Sequence, residues 1–100
     1  MQSEKEIQTD IVKYLKLRGY FVIRNYLGPV HYHGSKVRPN PNAGMPDLSI
    51  IKNGITSYIE VKKEKGKVSD KQKEWHMKAY KAGVVVHIFR SLVECMVVFN

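Results

Sequence analysis

Acidic residues are scarce in this chain: nine Asp and Glu stand against seventeen Lys and Arg, leaving a formal charge of +8. Cysteine is scarcer, since Cys95 stands alone. One thiol excludes an intramolecular disulfide and any thiolate-built metal site, and it suits a reducing cytosol. Its apolar neighbours mark Cys95 as a small buried hydrophobe. Long apolar runs are also missing. The longest, such as Cys95 to Phe99, fall far short of the roughly 20 residues a membrane-spanning helix needs, and MQSEKEIQTD has no signal-peptide apolar segment. No low-complexity tract or internal repeat is visible, so we expect one cytoplasmic domain over residues 1–100 with no membrane partner.

What is present is a core-forming share of apolar residues, 43%, and the excess of basic side chains. Such a balance in a small chain favours polyanions, with nucleic acid the first candidate and a merely solubilising surface the plain alternative. An acidic membrane is a weaker candidate, because no basic amphipathic helix stands apart from the fold.

Ser3-Glu4-Lys5-Glu6 is a capping box, followed by Ile7, Ile11, Tyr14 and Leu15 at helical spacing and by Gly19 as terminator; this predicts a helix from about Glu4 to Arg18. Tyr20 to Leu27, aromatic and β-branched, reads as a strand. From Gly28 to Gly44 the prolines and glycines argue against regular structure and point to a flexible basic arm. Ser69-Asp70-Lys71-Gln72 opens a second capped helix, about Asp70 to Ala82, whose Trp75, Ala79 and Met77 are available to cover the apolar face of the hairpin between Gly44 and Lys63. Val84 to Arg90 is a continuous apolar run, as expected of a buried strand. Ser91-Leu92-Val93-Glu94 opens a short last helix. The order αβββαβ implies a mixed sheet flanked by helices, an α/β fold.

Between the loop and the second helix lies GMPDLSIIKNGITSYIEVKK, Gly44 to Lys63. Asn-Gly within alternating residues is the strongest short-range signal for a two-residue hairpin turn. With Lys52 and Ile55 flanking that turn, Ile51 faces Thr56, Ser49 faces Tyr58, and Asp47 faces Glu60. Leu48, Ile50, Ile59 and Val61 then form an apolar face, while Asp47, Ser49, Tyr58, Glu60 and Lys62 share the other. Two carboxylates placed directly opposite are destabilising without a compensating cation. Carboxylate-only sites suit Mg²⁺ or Mn²⁺, which bind phosphate oxygens and activate water, and Lys62 on the same face would assist the nucleophile or stabilise negative charge. The plain alternative is a surface acid pair partly neutralised by lysines.

Gly44-Met45-Pro46-Asp47, then Glu60-Val61-Lys62, then Gln72 resembles the PD-(D/E)xK nuclease pattern, and the GMPD form with its SDKQKEW helix is similar to the VRR-NUC branch. The resemblance spans Glu6 to the last strand. It implies a metal-dependent DNA endonuclease of a bacterial or phage-infected cell, selective for four-way junctions or flaps. In that reading Asp47 and Glu60 are metal ligands, the Val61 backbone carbonyl adds another, and Lys62 is catalytic. Gln72 and Glu6 fall where the family places supporting polar residues, with Glu6 a helper to the same ion or to a second one. Both also sit at the third position of a capping box, where reaching back to the cap explains them equally well.

Lys36, Arg38, Lys63, Lys65 and Lys67 are the expected phosphate contacts, joined by His31 and His33. A zinc reading of His31-x-His33 ranks below phosphate contact, since no cysteine lies nearby. Tyr32 is the base-stacking candidate. Trp75 reads as a core anchor, and His76 and His87 as structural. A homodimer suits a two-fold junction, with Met96-Val97-Val98-Phe99 either its interface or packed beside the first helix. The rival readings are a non-catalytic basic binding module on the same fold, or a subunit that needs a partner.

Overall fold

The computed structural model describes residues 1–25, 28–32, 34, 36–38 and 41–100, residues 30–32 and 36 by backbone alone. The elements are α1 (Glu4–Leu17), β1 (Phe21–Arg24), β2 (Val30–Tyr32), β3 (Lys36–Arg38), β4 (Leu48–Lys52), β5 (Ile55–Val61), α2 (Asp70–Lys81), β6 (Val86–Phe89) and α3 (Leu92–Val98). Strands β1, β4, β5 and β6 form one sheet in that order, and β2 pairs with β3 in a separate one. The first three strands of the larger sheet run antiparallel; β6 returns through the α2 crossover to lie parallel to β5.

Local chemistry sets most of these limits. Ser3 and Ser69 each accept the N–H of the residue three places on, and Glu6 and Gln72 reach back to the cap N–H, so both helices begin with complete capping boxes. Asn53 and Gly54 both take positive φ, 53° and 75°, which closes the two-residue turn. That turn sets the register: Ser49 pairs with Tyr58 and Ile51 with Thr56, as the sequence predicts.

The core lies on one face of the sheet. Ile7, Ile11, Val12 and Leu15 of α1 pack against Leu48, Ile50, Ile59 and Val61, and Phe89 and Cys95 complete the cluster. This corrects the expected role of α2. The four-residue apolar stripe of α1 claims the hairpin's apolar face, and the crossover places α2 on the polar face instead. There Trp75 packs edge-on against Tyr58 with ring centroids 5.0 Å apart, while Met77 remains 54% exposed.

Two further expectations change. The segment from Gly28 to Gly44 carries a short antiparallel pair in which His31 faces Val37; its prolines fall outside these two three-residue strands. β1 ends at Arg24, and Tyr26, Leu27 and His33 lie outside the described residues. The last strand is shorter than Val84 to Arg90 and is an edge strand, not a buried one. Val85, one residue before it, and Ile88 are exposed, and β6 has a strand neighbour, β5, on one edge only.

Candidate active site

Asp47 lies one step before β4, at the position the register places opposite Glu60. Pro46 ahead of it is fully buried. Asn25, just past β1, brackets it: the Asn25 N–H donates to the Asp47 carbonyl (2.8 Å), and its amide donates to the Pro46 carbonyl (2.9 Å) and to Ser49 Oγ (3.0 Å). The Asp47 carboxylate accepts the Val61 N–H at 2.7 Å. The aspartate is thus held from both neighbouring strands.

Glu60 is 1% exposed, on the polar face of β5. Its carboxyl is pushed up to about 8, first by burial and then by the Asp47 charge and a hydrogen bond to it; Lys62 partly opposes this, and Glu4 adds to it. A buried carboxyl raised by a second carboxylate is a donor pair short of positive charge. Helix α2 supplies its neutral partners, because Gln72 and His76 stand one helical turn apart. Gln72 Nε2 lies 3.3 Å from Glu60 Oε2, and His76 Nε2 lies 3.2 Å from Oε1. Burial and the Lys62 charge push the His76 pKa down. Gln72 also caps its helix, so one side chain meets both the cap and Glu60. Lys62 is buried, with its N–H on the Phe89 carbonyl (3.0 Å).

Glu6 is placed otherwise. Its carboxylate is exposed, accepts the Ser3 N–H at 3.1 Å, and is lowered by its hydrogen bonds to Ser3. The acid of α1 that reaches toward the site is Glu4, which accepts the Lys63 N–H at 3.3 Å. The connector of Lys63, Lys65 and Lys67 is exposed and fastened by Arg90, whose Nη1 donates to the carbonyls of Lys63 (2.9 Å), Glu64 (3.3 Å) and Gly66 (2.7 Å). Arg38 is exposed on β3; the side chains of Lys36 and His31 lie outside the description.

Sequence reasoning did not find Asn25, Glu4, His76 or Arg90 here. Only His76 carried a signal, its four-residue spacing from Gln72. Among the described residues no three of His, Cys, Asp and Glu gather closely enough to hold a metal. Two carboxylates and a backbone carbonyl still fit a hard divalent ion that keeps several waters.

A mixed sheet with an acid before one strand, an acid near the end of the next and a lysine two residues on has the layout of the PD-(D/E)xK class. Within that class the chain belongs to the VRR-NUC domain family, whose model matches residues 3–92. A solved structure of a VRR-NUC domain is similar in fold, with a TM-score of 0.69 at 22% identity over 94% of this chain and 91% of that one. The comparison with curated proteins returned no match. The family makes this a nuclease-type domain with DNA as its substrate.

Proposed function

We propose that the protein hydrolyses phosphodiester bonds in branched DNA, four-way junctions or flaps, with Mg²⁺ or Mn²⁺ as cofactor and a homodimer as the working form. The observation that carries this reading is the Asp47–Glu60 pair with Lys62 buried beside it. Asp47, Glu60 and the Val61 carbonyl would hold the cation, which supplies Lewis acidity toward a phosphate oxygen and a more acidic water. The Val61 N–H keeps the Asp47 carboxylate aimed, and Asn25 holds the backbone that carries it. Gln72 and His76 do the same for Glu60. Lys62 orients the water or stabilises negative charge on the phosphoryl oxygens. The exposed Lys63, Lys65 and Lys67 hold flanking phosphates.

The test is cleavage of labelled single-stranded, duplex, flap and junction DNA with Mn²⁺ or EDTA. Asp47→Ala and Glu60→Ala are expected to abolish cutting and metal binding while DNA binding persists. Lys62→Ala is expected to keep the metal and cut slowly. Wild-type rates in either acid variant would reject the Asp47–Glu60 site, and DNA binding with no cutting by the wild type would reject the nuclease reading in favour of a binding module.

A further inference from the structure

The polar face of the sheet is closed on one side of the site and open on the other. Helix α2 covers the β5 side, with Trp75 on Tyr58 and with Gln72 and His76 on Glu60. A DNA strand with a phosphate at Asp47 and Glu60 therefore leaves across β4 and β1. The pairing register shows what it meets. Ile23 pairs with Ser49 and Phe21 with Ile51, so these four share the face of Asp47, while Val22 turns to the core.

Phe21 is 62% exposed and Ile23 37% exposed, beside the half-buried Ile51. The cations of these two strands are turned away. Arg24 pairs with Leu48 on the core-side register and bonds Gln8, and Lys52 donates to the Arg18 carbonyl at 2.8 Å. Among the described residues, then, this face of β1 and β4 offers an aromatic ring and two branched side chains and no Lys or Arg to hold a phosphate. Such a surface suits the flat, apolar side of a nucleobase.

We propose that Phe21, flanked by Ile23 and Ile51, is a stacking subsite for unpaired bases of the strand that passes the site. The inference rests on the nuclease reading and deepens it. Ile51 lies four residues beyond Asp47, about 13 Å along the strand, or about four steps of stacked DNA. A closed duplex keeps its bases stacked inside and shows the shelf only backbone and groove. A flap or an opened branch offers a free base there. The shelf is thus a device by which this domain favours open strands over continuous duplex.

The experiment measures binding in EDTA, apart from catalysis, with single-stranded, flap and duplex DNA carrying 2-aminopurine near the expected shelf position. Phe21→Ala is expected to weaken single-strand and flap binding about tenfold, to remove the change in 2-aminopurine emission, and to leave duplex affinity unaltered. Phe21→Tyr keeps the ring and is expected to restore both. Unchanged single-strand affinity in Phe21→Ala, or an equal loss on duplex, overturns the subsite. So does a halved mass of Phe21→Ala in light scattering, which would make the shelf a contact between copies. Ring-dependent binding by a wild type that never cuts with Mn²⁺ would leave the shelf standing and reject the nuclease reading; cutting without ring dependence would do the reverse.

Discussion

The Glu60 carboxyl, 1% exposed and pushed up to about 8, makes metal-free stability depend on pH. In the unfolded chain the group titrates near its ordinary 4.5, so between 4.5 and 8 the native state holds more protons than the unfolded one. Stability then falls as pH rises through that window, by an amount on the order of a few kcal/mol. Burial lowers the pKa values of His76 and His87, which add an opposite slope below about pH 7, so melting in EDTA from pH 7 to 9 is expected to show this decline, and Glu60→Gln is expected to flatten it; a wild-type curve that is level or rises there would contradict the account. A bound cation replaces the proton, so Mn²⁺ affinity should climb with pH up to about 8. His76 is a positioning residue beside it. His76→Ala should lower Mn²⁺ affinity and cutting by about 10- to 100-fold, and His76→Gln, which restores an N–H at similar reach, should recover much of both. Calorimetry that finds Mn²⁺ binding equal in His76→Ala and wild type would reduce the histidine to packing.

At the scale of elements, the site depends on how α2 meets the loop before β4. Gly44 has φ +94°, and a Cβ there would lie 2.5 Å from the Lys71 carbonyl oxygen. Backbone thus touches backbone where the GMPD segment passes the start of α2, the helix that carries Gln72 to Glu60. Gly44→Ala is expected to cost about 1–3 kcal/mol and to depress cleavage further than stability alone explains, because the loop and α2 must part. Thermal melting and rates at a temperature where the variant remains folded separate the two effects; wild-type values for both would show the contact to be slack. Arg90 plays a similar part for the connector. Its three carbonyl partners hold Lys63 to Gly66 in one path, which presents the lysines beside the site.

For the whole molecule, the +8 charge and the exposed Lys63, Lys65 and Lys67 give a salt prediction. Replacing all three by alanine should make the salt slope of duplex binding shallower by about 2.7, if each meets one phosphate. An unaltered slope would move the DNA path off the connector. Assembly is the second question at this scale. Phe99 packs against Tyr20, His87 and Phe89, and its carbonyl accepts the Tyr14 hydroxyl at 2.6 Å, so the end of the C-terminal run is internal. Met96, Val97 and Val98 remain exposed. We expect light scattering to show about twice the 11.6 kDa chain mass, and mixed dimers of wild type with Lys62→Ala to nick junctions without resolving them. A monomer at micromolar concentration that makes paired cuts would exclude the dimer.

Short-range chemistry was legible in the sequence wherever neighbours along the chain decide the outcome. Capping boxes are built from residues three apart, so both long helices start where Ser3 and Ser69 say they do. Asn53-Gly54 sets the hairpin register, which pairs Leu48 with Ile59 and, continued by one residue, brings Asp47 opposite Glu60. What the tertiary structure decided involves groups far apart in the chain. Two amphipathic helices competed for one apolar face, and no local pattern says that α1 takes it and α2 goes to the acids. That choice turned Trp75 onto Tyr58 and brought His76 to Glu60. Likewise Asn25, Glu4 and Arg90 act through hydrogen bonds across 21 to 59 positions, which leave no periodicity to read. Periodic patterns report which face of an element is apolar; only packing reports which partner that face meets.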